Sequence, residues 1–102
     1  MNSYTVWYAK HPTFDEKAVP TTLGELFERF AKVKDIDAKG LEDVFREMQG
    51  ENWSPNGEAR PLIHQLGLTH TSMSVGDLAQ TEAGIFYVVA DCGFNRINVK
   101  RD

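Results

Sequence analysis

The feature that most constrains this chain is a six-residue run, Ile85-Phe-Tyr-Val-Val-Ala90, apolar on both faces. It is far shorter than the roughly 18–20 residues of a membrane-spanning helix, and its β-branched and aromatic content favours a strand. A strand of this kind is expected at the middle of its sheet. Residues 75–81 are expected to pair with it through a turn at Glu82-Ala83-Gly84. Beyond it, Phe94, Arg96, Asn98 and Lys100 alternate with Asn95, Ile97 and Val99, which suits a closing strand. Residues 4–9, Tyr-Thr-Val-Trp-Tyr-Ala, have the same character and predict a strand near the amino end.

Between these strands the period changes. Residues 10–20 carry Pro12 and Pro20 without a repeat and read as a loop. Thr22 and Glu25 have capping-box spacing, and Leu23, Leu26, Phe27 and Phe30 then follow one apolar helical face. Residues 31–36 alternate at period two and suit a short edge strand, whose lysines discourage edge-to-edge association. Leu41, Val44, Phe45 and Met48 predict a second helix over 38–49, stopped at Gly50. The turn formers of 50–57 read as a loop. A third, short helix is expected over 58–66, with Pro61 in its first turn, Gly67 as a left-handed end and Leu68 folding back in a Schellman arrangement. The order predicts an α+β fold in one domain over 1–102: a small, mostly antiparallel sheet of three to five strands with two or three helices on one face.

Charge and cysteine content exclude several classes. A formal net charge of −4 argues against a generic polyanion binder, so nucleic acid is a disfavoured partner. The only cysteine is Cys92, which forbids an intramolecular disulfide and argues against a cysteine-based metal site. No apolar run approaches a membrane span and no basic-then-apolar leader is present, so a cytoplasmic protein without membrane contact is expected. Nothing implies a cofactor.

The candidate functional region is His70-Thr-Ser-Met-Ser-Val-Gly-Asp77. Thr69, Thr71, Ser72 and Ser74 could offer donors and acceptors to a ligand, or could bond to their own backbone and order a turn. Gly76-Asp77 has the form of a turn or bulge that aims Asp77 at backbone amides. His70 stands close enough in sequence to activate Ser72 or Ser74 as a base, although the glycine-flanked nucleophile elbow is absent. His11, His64 and His70 lack helical ligand spacing, so no metal is expected. The acidic stretch from Asp35 to Glu51 is either a solvated helix face or a surface for a basic partner. Trp53, in Asn52-Trp-Ser-Pro-Asn-Gly57, either closes over the core or anchors a partner.

The segment "HTSMSVGD", a strand, and then "YVVADCGFNRI" resemble the YodL-like domains and related short proteins of phages, prophages and conjugative plasmids. The similarity covers residues 69–98, with a weaker likeness in "LEDVFREMQGENWSPNGEA" at 41–59. Cys92 departs from the pattern, where many relatives carry Ser. The resemblance implies a mobile-element protein acting against host defences, as an anti-restriction or anti-CRISPR factor. On this basis the leading expectation is a non-enzymatic interaction protein that binds a host protein through exposed loops and through His70, Thr71, Ser72, Ser74, Asp77 and Trp53. The alternatives are a nucleic-acid-binding accessory protein stacking bases on Tyr4, Trp7, Tyr8 or Trp53 beside Arg96, Lys100 and Arg101, and a small hydrolase-like enzyme at His70, Ser72, Ser74 and Asp77.

Overall fold

The computed structural model describes residues 1–101. Five strands, β1 (Asn2–Ala9), β2 (Phe30–Ala38), β3 (Leu78–Thr81), β4 (Phe86–Val89) and β5 (Phe94–Ile97), form one antiparallel sheet in the order β2-β1-β3-β4-β5. The helices are α1 (Leu23–Arg29), α2 (Leu41–Glu47), the single turn α3 (Gly50–Trp53) and α4 (Arg60–Gln65). This is the expected α+β architecture. The run 85–90 supplies β4, an interior strand paired on both sides, while the middle place belongs to β3.

Several elements form for local reasons. Thr22 Oγ1 accepts from Glu25 N–H at 3.1 Å, and Glu25 Oε1 accepts from the Thr21 hydroxyl at 2.7 Å, so α1 starts where the capping spacing places it. At the end of α4, Leu68 N–H donates to Ile63 C=O and Gly67 N–H to His64 C=O, with Gly67 at φ +73°, a Schellman end. The β3–β4 hairpin turns through Gly84 at φ +85°, closed by Thr81 N–H on Ile85 C=O at 2.8 Å.

Two departures matter for placing the site. First, α1 ends a residue early: Phe30 begins β2, where it is buried, and Phe27 is 60% exposed against the edge of Trp7. Apolar residues at i+7 of a helix and at the head of a strand look alike in sequence; here pairing of Phe30 with Ala9 wins. Second, the helices divide between the faces. Strand alternation sends Tyr4, Val6 and Tyr8 to the side covered by Val44 and Met48 of the α2 region and by Ile63 of α4. Trp7, Leu78, Phe86 and Val88 face the other way and are capped by Leu26 of α1. The helices of 41–65 therefore share one face, whereas α1, expected on that same face, covers the opposite one. The register skips Val33 between the Val6–Lys34 and Trp7–Lys32 pairs, a bulge that brings Val33 into the helix-side core.

Candidate functional site

The turn before β3 is organised by one carboxylate. Asp77 is 1% exposed, and Oδ1 accepts from Ala9 N–H at 2.9 Å at the end of β1. Its other oxygen, Oδ2, accepts from Ser74 N–H at 2.8 Å and lies 2.8 Å from His70 Nε2. A buried carboxylate persists only when its oxygens are occupied, and here three donors occupy them. Gly76, at φ +96°, lets the chain double back so that Gly76 N–H reaches Val89 C=O and Asp77 C=O receives Val89 N–H, both at 2.9 Å. Aiming of Asp77 at backbone amides follows the Gly-Asp pattern; the amide 68 residues away is the part that only the fold reveals.

His70 is sandwiched between this carboxylate and Tyr8. Its ring stacks on the Tyr8 ring with centroids 4.6 Å apart and an interplanar angle of 16°. The Tyr8 hydroxyl donates to Thr71 C=O at 2.7 Å and approaches Met48 C=O at 3.3 Å, joining the turn to the end of α2. Burial, reinforced by the negative Asp77 beside it, holds the Tyr8 phenol well above its ordinary value. His70 Nδ1 is sealed from solvent and has no hydrogen-bond partner.

The two serine hydroxyls also bond within the fold. Ser72 Oγ accepts from Gly50 N–H at 2.7 Å, which caps the one-turn helix α3. A methyl group at Gly50 would meet that oxygen at 3.2 Å, so the close approach favours glycine. Ser74 Oγ donates to Ser72 C=O at 3.1 Å. Trp53 Nε1 donates to Thr71 C=O at 3.0 Å, with the Lys34 ammonium 5.5 Å above its ring. The loop expected at 50–57 thus begins with a helical turn, and Trp53 closes over the core rather than standing free.

Each candidate residue consequently has a definite place. His70, Thr71, Ser72, Ser74 and Trp53 are half-buried in one corner, where Tyr8 stacks on His70 and both Tyr8 and Trp53 bond Thr71 C=O, whereas Asp77 lies inside and presents almost no surface to a partner. The His70 base and the Ser72 or Ser74 nucleophile of the enzyme alternative are not paired: His70 bonds Asp77, and both serines bond backbone. The stacking platform of the nucleic-acid alternative is likewise consumed, with Tyr4, Trp7 and Tyr8 in the core. Tyr8, the residue that ties the corner together, was a candidate only as a base-stacking platform; its role beside His70 had no sequence signal beyond its place in an aromatic strand.

Comparison with protein families, curated proteins and solved structures finds no match.

The surroundings of the corner are modest chemically. Among the described residues, no group of three or more His, Cys, Asp or Glu side chains could hold a metal ion, and no helix is long and apolar enough to cross a membrane. A cavity of about 230 Å³ lies beside Gly76, lined by Ala9, His11, Arg29 and Val75 among others. The Arg29 head group there is held by Ala18 C=O at 3.1 Å. On the open end of the α1 face, Ser3 and Thr5 hydroxyls donate to Asp37 at 2.6 Å and to Asp35 at 2.7 Å. The Thr5 hydrogen bond, with help from Lys32, holds the Asp35 carboxyl below its ordinary value.

Proposed function

We propose that this chain is a non-enzymatic protein-binding module of a bacterial mobile element, directed at a protein of the host, as its resemblance to YodL-like and other small phage- and plasmid-borne proteins implies. The observation that carries the non-enzymatic reading is the engagement of Ser72, Ser74, His70 and Asp77 with one another and with backbone. A reaction centre needs a nucleophile and base in hydrogen-bond reach and open to substrate. In this corner the same residue types serve to fasten the end of β1, the start of β3 and the α2–α3 junction. An anti-defence role follows from the resemblance alone, and the net charge of −4 suits a host target with a basic surface.

Affinity capture from bacterial lysate, with the tag alone as control, tests the proposal. One protein should be enriched reproducibly, and Ser74→Ala, which removes a hydroxyl bonded only to backbone, should capture it equally well. Repeated failure to enrich any specific protein from lysates of several bacteria would overturn it.

A further inference from the structure

We infer that the concave surface between α2 and the β4–β5 turn is a docking site for a protein segment that presents an arginine or lysine beside an apolar side chain. The inference rests on the binding-module reading and adds the chemistry of the partner. A cavity of about 250 Å³ opens there, lined by Glu42 and Phe45 of α2 and by Val89, Ala90, Asp91 and Phe94 of the β4–β5 region. It adjoins a shallower depression of about 520 Å³ along residues 39–43, which shares Glu42, Gly93 and Phe94. The deeper cavity is smaller than the roughly 300–1,000 Å³ of small-molecule sites, and its size suits a side chain of a larger partner.

Its floor and rim have opposite characters. Val89 and Ala90 are buried beneath it, and Phe45 and Phe94, both half-buried, pack on the helix-side core while lining the cavity. The charged groups at the rim are carboxylates: Glu42 on α2 and Asp91 on the turn. Asp43, farther along, is neutralised by Arg46 within its own helix. Among the described residues, the Glu42 and Asp91 carboxylates have neither a hydrogen bond nor an ion pair, and both residues are exposed. Of the residues lining the two depressions, the one cation is Lys39, in the shallower. Apolar walls under two unpaired negative groups complement a side chain with an alkyl stem and a cationic head; the stem lies on Phe45 and Phe94 and the head reaches the carboxylates. Arginine fits best, because its weakly hydrated planar head stacks on aromatic rings and is a frequent anchor at interfaces.

The test is an amide-shift titration of the intact protein with the capped peptides N-acetyl-Leu-Arg-Leu-amide and N-acetyl-Leu-Glu-Leu-amide. The arginine peptide should shift amides of residues 41–45 and 89–94, bind at least about tenfold more tightly than the glutamate peptide, and lose about tenfold in affinity in Glu42→Gln/Asp91→Asn. Thermal unfolding of that double variant, both of whose sites are exposed, should be unchanged. Equal shifts from both peptides, shifts mapping elsewhere, or no shift up to about 10 mM peptide would overturn the site. A host protein captured equally by the wild-type chain and the double variant would overturn the groove while leaving the binding-module proposal intact. Peptide binding at the groove without any captured host protein would do the reverse.

Discussion

Replacing Asp77 tests whether one carboxylate ties the sheet together. In Asp77→Ala the Ala9 and Ser74 amides lose their acceptor and His70 Nε2 loses its partner, all in a position that is 1% exposed. A buried donor left unsatisfied costs about 1–3 kcal/mol, so two amides and an imidazole give about 3–5 kcal/mol once some relaxation and water entry are allowed. A domain of this size has a total stability of roughly 5–15 kcal/mol, so the variant should be near its unfolding threshold. Asp77→Asn keeps one carbonyl oxygen but turns an NH2 group toward a donor, and should lose about 2–3 kcal/mol. Ser72→Ala removes one neutral acceptor from Gly50 N–H and serves as the comparison, at about 1 kcal/mol. Urea unfolding followed by circular dichroism reads all three, and the slope with denaturant should stay constant if only stability changes. An Asp77→Ala loss below about 1 kcal/mol, or no larger than that of Ser72→Ala, would refute the reasoning.

Three further outcomes are expected. Because the folded state holds the Tyr8 phenol above its usual value of 10.0, its contribution is intact below that pH. Above it the unfolded chain releases a proton that the fold retains, so stability falls by about 1.4 kcal/mol per pH unit; Tyr8→Phe should remove one proton from that slope in urea titrations at alkaline pH. Asp35 has the opposite sign: its carboxyl is held below 3.8, so the contribution is present above that pH and lost as pH falls, and Thr5→Val should move its NMR titration midpoint upward. Phe14 sits at φ +55°, a backbone region costly for a bulky side chain, and is 63% exposed, so Phe14→Asn should stabilise the fold by about 1 kcal/mol in thermal unfolding.

What could be read from sequence was what neighbours in sequence decide. The cap at Thr22, the Schellman end at Gly67-Leu68 and the hairpin through Gly84 each close within a few residues, and all three stand where the residue types placed them. The stripe Leu41, Val44, Phe45 and Met48 also holds its helix, although Phe45 is only half-buried and turns part of its ring to the acidic cavity. The side of the sheet each helix would take was not legible, because it depends on which way the connections cross and on a bulge that skips Val33. The fastening of the corner was half legible: Gly76-Asp77 announced a carboxylate aimed at amides, but Ala9 reaches Asp77 from 68 residues away, Tyr8 reaches Thr71 from 63 and Gly50 reaches Ser72 from 22, distances over which side-chain pattern carries no register.

The sheet order has a consequence for how the chain reaches this state. Strand β1 can pair with β2 after only a short intervening helix, but its other edge waits for residues 78–81, the last part of the chain to join its ladder. Until then one edge of the Tyr-Thr-Val-Trp-Tyr strand has no ladder partner. Pairing so distant in sequence predicts slower folding than local hairpins alone would show, with the open aromatic edge of β1 as the surface most exposed to misassociation until β3 joins it.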